Sequence, residues 1–206
     1  MHITWLGMSC FKIQANDTTI IINPYQDKFG LKLSKAKADI LMSSSPEEDV
    51  SNNFSRIMGD FFQVDSPGEY EIQGTFIYGI RAGEGDQKNT TIFLLESEDI
   101  RVAHLDTINH SLTDQQLETM EGADVLLLPV SSLTPEKRQK LISQIEPRII
   151  IPMYYNIPKC KAKLEDLTKF SKEMGGKTTN PMDKLIVKKK DLPQDETQLI
   201  VLKPNV

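Results

Sequence analysis

The chain has 206 residues, enough for one domain with a sizeable core, and carries 24 Lys and Arg against 29 Asp and Glu for a formal charge of −5. That balance gives no long-range attraction for phosphates and argues against nucleic-acid binding in the absence of a local basic patch. Two cysteines, Cys10 and Cys160, exclude a disulfide framework or a cysteine-based zinc site, and together with the lack of a secretory signal or a bilayer-length apolar run they imply a soluble, cytoplasmic protein.

Short β-rich runs come first. Ile3 to Leu6, Phe11 to Gln14 and Thr18 to Ile22 predict strands, separated by Gly7 and by Asn16-Asp17, a turn pair whose side chains bond nearby backbone. The segment from Ala38 begins as a buried apolar strand and runs into a loop that reads Ser45-Pro46-Glu47-Glu48-Asp49-Val50. Phe61 to Val64, Thr75 to Ile80, Thr91 to Leu95 and Arg101 to Leu105 continue the strands, with Pro67-Gly68 and the stretch from Gly83 to Asn89 as breakers.

From Ser111 the period changes. Thr113 with Gln116 three residues on forms a capping-box pattern and predicts a helix to about Met120. Val125 to Pro129 is a fully apolar strand of the kind buried on both faces. Thr134 and Pro135 open a second helix that Pro147 closes, and Ile149 to Pro152 is a further buried strand. Leu164, Leu167, Phe170 and Met174 then stand at helical spacing ahead of Gly175-Gly176, and strands follow over Lys184 to Val187 and Gln198 to Leu202. Strands and helices in this order give a layered α/β domain. Lys188-Lys189-Lys190 is the one basic run and reads as a solvated turn.

Five ordered segments carry a family likeness: Met1 to Phe11, Thr19 to Pro24, Ser66 to Ile72, Ala103 to Leu105 and Ile150 to Tyr155. In order and spacing they resemble the metallo-β-lactamase superfamily, and most of all its small bacterial Zn-dependent hydrolase branch, which includes ascorbate-6-phosphate lactonase-like proteins. The resemblance is strongest over residues 1–156 and implies a single α/β domain, an αββα sandwich, that residues 157–206 complete with a helix and strands. It also implies a metal-dependent hydrolase, in which a bound ion acidifies a water held by histidine and carboxylate ligands.

The ligand positions depart from that pattern. The family's His-x-His-x-Asp-His loop falls on Ser45, Glu47, Asp49 and Val50, so Asp49 alone keeps its type. The histidine of a later loop should fall near Gly83 to Gln87, where there is none; the bridging aspartate falls on Thr107, and the final histidine is Tyr154. Asp106 stands one residue early and should point elsewhere. The supporting Gly-His-Ser-Cys and Ile-Asp-Pro elements read Gly7-Met8-Ser9-Cys10 and Ile22-Asn23-Pro24.

Only His2, His104 and His110 remain. His2 reads as a surface or strand-end residue, and His104 as a hydrogen-bonded imidazole at the end of an apolar strand. Met8, Asp106 and His110 are the candidate pocket contacts, His110 through orientation or substrate contact. Glu47, Glu48 and Asp49 could supply part of a hard-cation shell but read as solvated acid. Ser44 or Ser45 lacks the elbow of a serine hydrolase, and no phosphate-binding glycine loop occurs.

Three functions follow. The leading one is a metal-free member of the fold that binds a small molecule or a protein. The alternative is a hydrolase of phosphodiester, lactone or thioester with one Zn, Mn or Mg ion held by Glu47, Asp49, Asp106 and His110, with Tyr154 on the substrate. The third is an inactive subunit of a homo- or hetero-oligomer.

Overall fold

Alternation of buried and outward residues sets up the first three strands. Ile3 and Trp5, then Phe11, Ile13 and Ala15, turn inward while their neighbours face solvent, the period-2 pattern of a sheet with one wet face. The computed structural model describes residues 1–83, 89–176 and 180–206. In chain order the strands of the first half are β1 (His2–Trp5), β2 (Phe11–Ala15), β3 (Thr18–Ile22), β4 (Ala36–Lys37), β5 (Ile40–Met42), β6 (Ile57–Met58), β7 (Phe62–Val64), β8 (Gly68–Ile72), β9 (Thr75–Arg81), β10 (Thr91–Ser97) and β11 (Ile100–His104). Helices then interleave: α1 (Asp114–Met120), β12 (Val125–Pro129), α2 (Pro135–Ile145), β13 (Ile149–Met153), α3 (Leu167–Glu173), β14 (Leu185–Ile186) and β15 (Gln198–Leu199).

Two sheets share one hydrophobic core. The first has the order β14-β1-β2-β3-β5-β7 and the second β15-β13-β12-β11-β10-β9-β8, while β4 and β6 form a small separate pair. In the first sheet β1, β2 and β3 are antiparallel neighbours, and β3, β5 and β7 then run parallel. In the second, β8 to β11 are an antiparallel meander and β11, β12, β13 and β15 run parallel. Helices α1 and α2 lie in the parallel crossovers of the second sheet, while the connections of the first sheet hold 3-10 turns at Asp27–Phe29 and Phe54–Arg56. This is the mixed α/β, metallo-β-lactamase-like sandwich that the motif order implied. Strands β12 and β13 are buried at every position, as continuous apolar runs flanked by parallel neighbours must be.

The caps are the ones the sequence specifies. Thr113 Oγ1 accepts from the backbone of Gln116 at 3.3 Å, and the Gln116 side chain accepts from the Thr113 backbone at 2.9 Å. The Gln116 amide also donates to the carbonyls of Arg81 and Ala82, which ties α1 to the end of β9. Thr134 caps α2 with Pro135 in its first turn.

The late helix is shorter than Leu164 to Met174. Asp166 accepts from Thr168 as N-cap, so the helix starts at Leu167 and leaves Leu164 in the preceding loop. Strands β14 and β15 are also shorter than expected, because only two residues of each pair with a neighbour. Among the described residues no helix is long and apolar enough to cross a membrane.

Candidate functional site

The C-terminal ends of strands from both sheets meet at one end of the molecule. Asn23 follows β3, Ser43 to Ser45 follow β5, Asp106 follows β11 by one residue, and Tyr154 follows β13. The turn after β1 brings in Met8 and Ser9. Four of these residues, Met8, Asn23, Asp106 and Tyr154, hold left-handed backbone with φ between 50° and 53°. Non-glycine residues in this region are uncommon, and such conformations cluster where a structure fixes side chains for a purpose.

A closed hydrogen-bond network fills the space between them. The Asn23 amide nitrogen donates to Asp106 Oδ1 at 2.8 Å, with Ser44 Oγ at 3.2 Å and Ser9 Oγ at 3.3 Å, while Asn23 Oδ1 accepts from the Ser44 backbone at 2.8 Å. All four residues are buried. His104 sits beneath them with Nε2 on the Ser9 carbonyl at 2.8 Å and Nδ1 receiving the Asp106 backbone N–H at 3.2 Å. That pairing makes Nε2 the protonated nitrogen. Burial pushes the imidazole down to about 4, so it is neutral at physiological pH. Burial likewise pushes the Asp106 carboxyl up to about 6, against the pull of its hydrogen bonds.

Asp106 therefore does not point away from this centre, as its place one residue before Thr107 suggested. Its left-handed backbone breaks the alternation of β11 and turns the carboxylate inward. Thr107 is half-buried beside it.

The other positions on which the family's ligand motif falls have separate settings. Ser45 Oγ lies 3.1 Å from Thr90 Oγ1. Asp49 turns outward to an ion pair with Lys28, whose hydrogen bond holds the carboxyl below its usual range. Glu47 is exposed, and Val50, half-buried, offers no donor atom. Tyr154 donates its backbone N–H to the Met8 carbonyl at 3.0 Å, and burial, with the nearby Asp106 charge, keeps its phenol protonated. Met8 is buried, with its sulfur 3.8 Å from the Cys160 thiol. His110 bonds the Ser111 carbonyl through Nδ1, while its buried Nε2 has no partner among the described residues.

The geometry thus gathers Asp106 with Met8 and Tyr154 but not the set Glu47, Asp49, Asp106 and His110. Among the described residues no three of His, Cys, Asp and Glu come together as a metal-binding group. Of the loop at Gly83 to Gln87, residues 84–87 lie outside the described residues.

Beside the network a cavity of about 250 Å³ opens between the Ser45 to Glu48 loop, the Asp65 to Pro67 turn, Arg81 and the start of β10. Elsewhere, Arg138 of α2 is fully buried. It forms a two-pronged pair with Glu173, donates to the carbonyls of Val130 and Leu133, and lies over the Phe170 ring at 5.6 Å.

A model of the beta-lactamase superfamily domain matches residues 2–154, about three quarters of the chain. The chain belongs to this superfamily. This member is 25% identical over 178 residues to a UPF0173 protein of Pyrococcus furiosus, covering 75% of the chain and 83% of the relative. Its structure superposes with a TM-score of 0.82 and 26% identity on a protein of Thermotoga maritima assigned as a Zn-dependent hydrolase of the metallo-β-lactamase superfamily, over 98% of this chain and 97% of the other. The metallo-β-lactamase fold protein YhfI of Bacillus subtilis shares the fold at a TM-score of 0.65 and 9% identity, over 98% and 96% of the two chains.

Superfamily hydrolysis draws on metal-activated water, and the donor set here does not fit that group. Where the resemblance would place its ligands stand a hydroxyl bonded to another hydroxyl at Ser45, an outward carboxylate in an ion pair at Asp49, an aliphatic side chain at Val50 and a neutral phenol at Tyr154, and the buried carboxylate of Asp106 is held by an amide. Asn23 and Ser44, which complete the network, were not singled out as site residues by sequence. The signal for Asn23 was present in the Ile-Asn-Pro element, where the family has aspartate.

Proposed function

We propose that this superfamily member has exchanged its hydrolytic metal centre for a sealed polar network and works by binding a ligand or a protein. The observation that supports this most is the Asn23 to Asp106 hydrogen bond. A carboxamide donor stands where the family carries a second acid, so the buried Asp106 carboxylate finds its partner within the protein rather than in a cation held between two acids. The cavity of about 250 Å³ beside Ser45 favours a small polar ligand, since Ser45, Ser66, Thr90 and Thr91 line it together with the charged Glu47, Glu48, Asp65 and Arg81.

The test is a turnover panel of phosphodiester, lactone and thioester substrates with Zn²⁺, Mn²⁺ and Mg²⁺ added in turn. No metal-dependent rate above the metal-only background is expected. Metal-dependent turnover that disappears in Asp106→Asn would restore the hydrolase reading.

A further inference from the structure

Two lysine-rich segments, far apart in the chain, lie side by side on the surface. The first runs from Lys28 to Lys37 with four lysines and no acid; the second, from Asn156 to Leu164, has three lysines and no acid. They are joined by the Lys161 N–H donating to the Phe29 carbonyl at 2.8 Å. Contact is so close at Gly30 that a Cβ there would meet the Lys159 carbonyl at 2.5 Å.

Both segments follow one pattern. Leu31, Leu33 and Ala36 turn to the core while Lys32, Lys35 and Lys37 are exposed, and Cys160, Ala162 and Leu164 pack inward while Lys159, Lys161 and Lys163 are exposed. Two runs of exposed ammonium groups thus meet where Phe29 and Gly30 touch Lys161 and Lys159, a basic ridge with its apolar neighbours already covered. The acids that border the segments are engaged elsewhere: Asp27 with Arg56, Asp39 with the Thr19 backbone, Glu165 with Arg138 and Asp166 as the cap of α3. Lys28 is paired with Asp49, and among the described residues the other six lysines make no ion pair.

We infer that this ridge binds the phosphate backbone of a nucleic acid without reading its bases. The seven charges of the two segments leave −12 on the rest of a chain whose total is −5, so the positive potential is local and directional. Lysine is a point-charge phosphate ligand, and the ridge offers no arginine fork for base edges and a single amide, Asn156, at its end. A bilayer is the poorer partner, because the residues between the lysines face the core and leave no apolar face to insert. The inference stands independently of the metal-free reading of the strand-end network.

The experiment is fluorescence anisotropy of the full chain with a short labelled DNA duplex and, separately, a short single-stranded RNA, across a salt series. Engagement of six lysines predicts an affinity that falls about 10³-fold between 50 and 200 mM salt. Replacing Lys159, Lys161 and Lys163 by Gln should cut that fall on the duplex to about 40-fold and weaken binding at low salt at least tenfold. Lys188→Gln with Lys190→Gln, in the basic run of the sequence, should leave both unchanged. Binding to either probe with this pattern supports the ridge. It is overturned by no binding at low salt, by the triple variant behaving as the parent while its melting temperature is unchanged, or by equal binding to vesicles of phosphatidylcholine and phosphatidylserine that competes with the nucleic acid.

Discussion

Asn23 at the end of β3 donates its side-chain amide to Asp106 beyond the end of β11 at 2.8 Å, and so links the two sheets at their strand ends. Amide and carboxylate complement each other as donor and acceptor; two carboxylates at this distance would need a cation or a shared proton between them.

Asn23→Asp therefore sets two buried carboxyls against each other. Unfolding by urea at pH 8 should show a loss of about 3 kcal/mol, and the loss should shrink towards pH 5 as the pair shares a proton. An unchanged stability at pH 8 would mean that the network is not closed.

Asp106 and His104 shift in opposite senses, and their contributions to stability oppose each other. The Asp106 carboxyl is raised to about 6, so its contribution is fully present below the unfolded value near 4 and is lost as pH rises through 6. The His104 imidazole is lowered to about 4, so its contribution is present above about 6.5 and is lost as pH falls through 4. Each is worth about 3 kcal/mol, and between pH 4 and 6.5 the two nearly cancel. Asp106→Asn removes one side of this balance. It should be more stable than the parent by up to about 3 kcal/mol at pH 8, equal to it below pH 4, and steeper in its loss between, as followed by urea unfolding across pH.

Arg138 should prove the costliest single position outside the site. Arg138→Leu strands Glu173 and leaves the carbonyls of Val130 and Leu133 without their donor, for a loss of about 3–5 kcal/mol in urea unfolding. Arg138→Lys keeps the charge but not the fork and should recover only part of it.

His110 carries a buried Nε2 without a partner among the described residues, a cost of about 1–3 kcal/mol where nothing compensates. His110→Phe removes the orphan atom at similar shape and should leave stability equal or higher by thermal melting. A sharp loss would show that the imidazole has a partner in solution.

The frame was legible because its signals are local. Alternation in Ile3 to Ala15, the apolar runs of β12 and β13 and the Thr113 to Gln116 capping box all act within a few residues. Strands β4 and β6 were not, since a two-residue pairing is decided by what the fold lays alongside. At the site, motif order alone singled out Ser45, Val50 and Tyr154, but their partners in space do not follow from it. Asp106 was misplaced because nothing in the sequence announces its left-handed backbone, and Arg138 gave no hint of burial because Glu173 reaches it from another helix.

Metal content measures the central claim most directly. Protein purified from its native cells without chelators, then analysed for zinc, iron and manganese, should hold far less than one ion per chain. A stoichiometric amount of any of the three, lost on Asp106→Asn, would contradict a centre closed by Asn23.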